Sequence, residues 1–149
     1  MPTGFRRQKD LAQSSSAVNV APAPDAVFSA DDFPPNQDFS GAAVALVEES
    51  GQLTYRLCGC LPNQHAKQFL GFLVSQDDGG VVSTGVGSIV TPVVEGGVAL
   101  TIGERVFLSE TAGEVTQTPP DTVSTALILY VGVAVSSTQI ALRYFTGQF

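Results

Sequence analysis

Gly85-Val86-Gly87-Ser88-Ile89-Val90-Thr91-Pro92-Val93, then Gly97-Val98-Ala99-Leu100-Thr101-Ile102-Gly103-Glu104-Arg105-Val106-Phe107-Leu108, decide the fold together with three later segments. Those are Gly113-Glu114-Val115-Thr116, Tyr130-Val131-Gly132-Val133-Ala134-Val135 and Ile140-Ala141-Leu142-Arg143. Short β-branched runs, punctuated by Gly or Pro about every eight to twelve positions, signal a small antiparallel β-barrel or sandwich. Pro92 sits inside one such run. It has no N–H to give a ladder, so that strand is expected at an edge or at a bulge.

Upstream of this stretch the strand signals continue. Ala42 to Val47 and Leu53 to Cys58 flank Glu49-Ser50-Gly51-Gln52 and read as a hairpin. Lys67 to Ser75 ends at Asp77-Asp78-Gly79-Gly80, a turn signal. Ala126 to Val135 is expected to be the most buried strand, and Gln139 to Tyr144 the closing one. Only Pro62 to Phe69 leaves room for a helix of more than a turn or two.

Composition changes near Ser40. Residues 1–40 hold Ser14-Ser15-Ser16, Ala21-Pro22-Ala23-Pro24 and Phe33-Pro34-Pro35, with no sustained periodicity. This predicts two parts: an extended N-terminal arm over 1–40, and an all-β domain over 41–149. The arm is unusual for a linker, because four of the nine Phe residues lie in it: Phe5, Phe28, Phe33 and Phe39. An exposed Phe gains nothing, whereas a buried one is worth about 1.5–3 kcal/mol. The rings are therefore expected to anchor the arm on a partner, with folding back onto the chain's own domain as the alternative. Arg6, Arg7 and Lys9 would meet acidic patches there.

The 149 residues fit one domain with an appendage. Charged residues make up 14% of the chain, against roughly 25% in ordinary soluble domains. A small domain so poor in charge favours an oligomer or a permanent partner. Net charge is −7, and from Gly41 onward four basic residues face nine acidic ones. Nucleic acid is thus not an expected partner, since binding it requires Lys and Arg to displace phosphate counterions. No apolar run is long enough for a membrane helix and no signal peptide is recognisable, so a soluble chain made in a reducing cytosol is expected.

Chemistry is sparse. Cys58 and Cys60 stand too close for a comfortable intra-strand disulfide. With His65 they give three potential ligands, but the spacing is too tight for a structural zinc site and a fourth ligand is missing. The simpler reading is two small apolar residues and a surface His. Asp77-Asp78 reads as a turn and Asp31-Asp32 as solvated acids in the arm, since the longer acidic pattern of a calcium loop is absent. There is one His, no G-x-S-x-G elbow, no P-loop and no dinucleotide fingerprint. No enzyme activity, catalytic residue, metal or cofactor is expected.

The order of motifs from Gly85 to Arg143 resembles the small β-barrel capsid decoration (cement) proteins of tailed bacteriophages. The likeness runs through G-x-x-V-T-P-V (Gly87 to Val93), G-x-x-V-x-L (Gly103 to Leu108) and G-x-V-T (Gly113 to Thr116). It ends with Y-V-G-V-A-V (Tyr130 to Val135) and I-A-L-R (Ile140 to Arg143). It covers about 60 residues of glycine-and-valine pattern, and neither the arm nor 41–76 adds to it. The resemblance implies a virion structural protein on the outer surface of the capsid, a homotrimer bound between major capsid protein subunits. A head-fibre module that binds a receptor or glycan is the alternative.

Overall fold

The computed structural model describes residues 19–20, 26–76, 81–120 and 127–143. It is all-β, as the punctuation of short runs predicts, with two sheets of mainly antiparallel strands. The first sheet contains β1 (Asn19–Val20), β2 (Val27–Phe28), β3 (Ala43–Glu49), β4 (Gln52–Leu57), β5 (Phe69–Ser75) and β6 (Val81–Ser83). Its strand order is β1-β6-β5-β3-β4-β2. The second contains β7 (Ile89–Val90), β8 (Arg105–Leu108), β9 (Val115–Thr116), β10 (Tyr130–Ala134) and β11 (Ile140–Leu142), in the order β7-β11-β10-β8-β9.

The β3–β4 hairpin pairs Val44↔Leu57 through Glu49↔Gln52. Its two loop residues both have positive φ, Ser50 at 54° and Gly51 at 82°. That is the turn whose twist matches the strands it joins. Pro62 to Phe69 forms no long helix. It makes two 3-10 turns, Pro62–Gln64 and Ala66–Gln68, separated by His65 at φ 62°.

Proline explains how the second sheet ends. Past Val90 the chain runs through Thr91 and Pro92 to Val94, which bridges Val115 of β9 in parallel. The Val115 N–H donates to the Val93 carbonyl at 2.9 Å. One continuous segment therefore borders β11 at one end and β9 at the other, rolling the sheet round on itself. Pro92 sits at the corner between these pairings, where the ladder needs no donor from it.

Between the sheets lies the main core. Ala43, Ala45 and Phe72 from the first sheet, with Cys58 and Cys60 just beyond β4, meet Val106, Leu108, Val115, Val131, Ile140 and Leu142 from the second. The opposite face of the first sheet carries another core of Val44, Tyr55, Leu73 and Val82. What covers it is the chain before β3. Ala26 and Phe33 are buried there, with Phe28 and Phe39 packed against them.

This corrects one expectation. Residues 26–40 do not form an extended arm but a strap folded onto the first sheet. It covers the face of β3 that the second sheet leaves open, and Ala43, Val44 and Ala45 of that strand are fully buried. Of 126–135, Tyr130–Ala134 is strand and residue 126 lies outside the described residues.

Candidate functional site

The strap is built on rings. Phe28 stacks on Tyr55 with centroids 4.7 Å apart, and Phe33 meets Phe28 and Phe39 edge-on, both at 5.0 Å. β2 pairs in parallel with β4, Val27↔Thr54 and Phe28↔Tyr55. Asp32, expected to be solvated, is half-buried and fastens the strap. Its carboxylate accepts the Leu57 N–H at 3.0 Å and lies 3.5 Å from the Arg56 guanidinium. Arg56 also donates to Glu49 at 2.7 Å. That bond holds the Glu49 carboxyl below its ordinary pKa and raises that of Arg56. At the strap's end Gln76 accepts from the Phe39 N–H at 2.9 Å.

Phe28, Phe33 and Phe39, read from sequence as anchors for a partner, are thus brought together within their own chain. An aromatic side chain takes the nearest apolar face, and Tyr55 provides it. Phe5, Arg6, Arg7 and Lys9 lie outside the described residues, as does the Asp77-Asp78 turn.

Cys58 and Cys60 are free and fully buried. The Cys58 thiol donates to the His65 carbonyl at 3.4 Å. Burial, then the neighbouring Cys60, push the Cys58 thiol far up, and burial and Glu110 push Cys60 up to about 11. Both are therefore protonated thiols at neutral pH, poor nucleophiles and poor ligands. Among the described residues no three His, Cys, Asp or Glu side chains group so as to hold a metal ion.

Acids gather at the β8–β9 turn. The Ser109 hydroxyl donates to Glu95, and the Thr111 N–H donates to that hydroxyl at 2.9 Å. Glu114 is raised above its ordinary value by burial and then by Glu95. The Glu95 carboxylate and the Thr111 amide together hold the Ser109 hydroxyl in place and shape the turn.

The most exposed large apolar side chains are Ile102 at 67% and Val98 at 62%. They lie on the segment leading into β8, which is tied to the β10–β11 hairpin. Gly103 N–H donates to Ala134 O at 2.8 Å, and Leu100 N–H to Ser137 O at 2.9 Å. Val135, which follows Ala134 in the same hairpin, is exposed as well. Leu100 is buried, while Val98, Ala99, Thr101 and Ile102 around it are all exposed. Sequence reading took this segment only as strand pattern. The exposure follows from the ties to the hairpin, which are long-range and leave no local signature.

An opening of about 380 Å³ lies between the sheets and is lined by Leu73, Val74, Ser83, Ile89, Val90 and Thr91. It contains no titratable group. Among the described residues no helix is long and apolar enough to cross a membrane.

No protein-family model, curated protein or solved structure matches this chain.

Proposed function

We propose that this chain is a capsid decoration protein, a homotrimer that coats the outside of a tailed-phage head and binds between major capsid protein subunits. One observation carries the reading. Val98, Ile102 and Val135 offer a solvent-facing apolar patch on a rigidly tied rim of a small, low-charge β domain. Such a patch marks a contact surface. Each aliphatic side chain buried there contributes about 1.5–3 kcal/mol. Many copies on one shell turn a modest contact into a durable one.

On this reading the protein acts mechanically, adding interface area between capsomers against the pressure of packaged DNA. The strap belongs to the body, so reach across the shell falls to residues before it, with Phe5, Arg6, Arg7 and Lys9 as contacts.

Genomic context is the first check: the neighbouring genes should encode a major capsid protein and a portal. Undecorated shells assembled from that capsid protein should bind this chain. Ile102→Asp should weaken binding roughly 10- to 100-fold, since each 1.4 kcal/mol is a factor of ten. If Ile102→Asp binds as tightly as the unaltered chain while folded, the rim is not the contact and the reading loses its support.

A further inference from the structure

We propose that the cavity bounded by the two 3-10 turns and the segment entering β10 binds a small carboxylic acid with an apolar body, its carboxylate held by Lys67, Gln68 and His65. This goes beyond the coat reading and does not depend on it, since the cavity lies apart from the rim of Val98 and Ile102.

The cavity holds about 390 Å³, inside the range of roughly 300–1,000 Å³ that small-molecule sites occupy. Its walls are fixed before any ligand arrives. His65, at φ 62°, splits residues 62–68 into two separate turns. Residues other than glycine held in that left-handed region cluster at ligand clamps. The first turn is pinned from both sides: the Leu61 N–H donates to Gln64 Oε1 at 3.1 Å, and Gln64 Nε2 donates to the Glu110 carbonyl at 2.8 Å. In the second, the His65 carbonyl accepts the Gln68 N–H at 2.9 Å and the Cys58 thiol at 3.4 Å. Across from them the Leu127 N–H donates to the Cys60 carbonyl at 2.8 Å. A preformed site loses little ordering entropy when it is filled.

The lining divides by chemistry. Leu61, Pro62, Ala66 and Leu127 give it an apolar side that suits hydrocarbon, and His65, Lys67 and Gln68 give it a polar one. The polar side is rich in donors: an ammonium with three N–H groups, an amide with two, and an imidazole. Both ion pairs among the described residues belong to Arg56, so within that set neither Lys67 nor His65 is matched with a carboxylate. Glu49 acts on His65 and Glu110 on Cys60 from a distance, yet neither acid lines the cavity. Clustered donors that include a cation are best satisfied by a carboxylate, whose oxygens accept charge-assisted bonds. The exposure of Lys67 and Gln68 sets these groups on the solvent side, where an entering acid meets them. The buried Cys60 thiol, protonated at neutral pH, is a passive part of the wall.

The test is NMR titration of the full-length protein with 3-phenylpropionate and with its neutral amide. The acid should bind saturably, with a Kd of about 1 mM or tighter, and should shift the backbone amides of Leu61, His65 and Leu127. The neutral amide, which cannot form the charge-assisted bonds, should bind roughly tenfold more weakly. Lys67→Gln and Gln68→Glu alter exposed side chains and should leave the melting temperature nearly unchanged. Each should weaken the acid by about tenfold, the first by removing a charge and the second by adding an opposing one. Absence of saturable binding overturns the proposal, and so do shifts that map away from these residues. Equal affinity for acid and amide overturns it on the unaltered chain alone, whatever the variants do. Folded variants that bind the acid as tightly as the unaltered chain refute the roles given to Lys67 and Gln68, and the proposal with them.

Discussion

Gly41 and Gly51 both carry positive φ, 88° and 82°, yet only one of them is hemmed in. A Cβ at Gly41 would stand 2.4 Å from the Thr91 carbonyl, where the strap's end meets the strand corner at Pro92; around Gly51 there is open space. Gly51→Ala should therefore cost only the left-handed penalty, about 1–2 kcal/mol. Gly41→Ala should cost clearly more, because the backbones of two sheets have to separate. Urea denaturation of both variants checks this, and equal losses would contradict it. Tyr55 makes the opposite prediction. Its hydroxyl is buried and has no hydrogen-bond partner among the described residues, an omission worth about 1–3 kcal/mol. Tyr55→Phe should leave stability unchanged or raise it, whereas a drop in denaturation midpoint would mean that the hydroxyl is satisfied after all. At the cysteines, thiols raised by burial should resist alkylation at pH 8 in the native state and react only in denaturant. Rapid native labelling at either position would rule out the packing described.

The strap is the element that matters most to how the first sheet is completed. Its rings cover a face of β3, β4 and β5 that would otherwise be exposed, and Phe33 is the buried centre of it. Phe33→Ala should destabilise by about 3–5 kcal/mol, read from the denaturation midpoint; a near-neutral result would return residues 26–40 to the status of a free arm. The ion pairs beside it set an acid limit. Glu49 titrates below its ordinary 4.5 in the folded state because Arg56 donates to it. Its contribution is present above the unfolded value and is lost as pH falls through the lower folded one. Glu114 has the reverse sign: its carboxyl is raised by burial and Glu95, so its charge opposes folding at neutral pH. Glu114→Gln should raise the melting temperature at pH 7, with the gain shrinking as pH falls through the raised folded value and gone below about pH 4.5, where the carboxyl is protonated in both states. A gain that persists unchanged in acid would point to packing rather than charge.

For the whole molecule, two sheets and two cores follow from a strap, a hairpin and a rolled second sheet, and the surface left over is apolar at the rim of Val98 and Ile102. The fold class was legible in the sequence because turn chemistry and β-branched runs are local. Ser50-Gly51 fixed a hairpin, and Pro92 marked the place where a ladder stops. The burial of Cys58 and Cys60 fitted their small apolar character in the same way. Other features depended on partners distant in the chain. Asp32 looked like a solvated acid until Arg56, 24 residues later, lay beside it. Phe28, Phe33 and Phe39 carried the signature of rings in need of a cover, which composition supplies, but which surface they cover is a matter of topology. Periodicity specifies what each residue seeks, an apolar neighbour, a donor or a tight turn. Only the packed chain decides which neighbour it finds, because the strap and the face of the first sheet meet through contacts that no local pattern encodes.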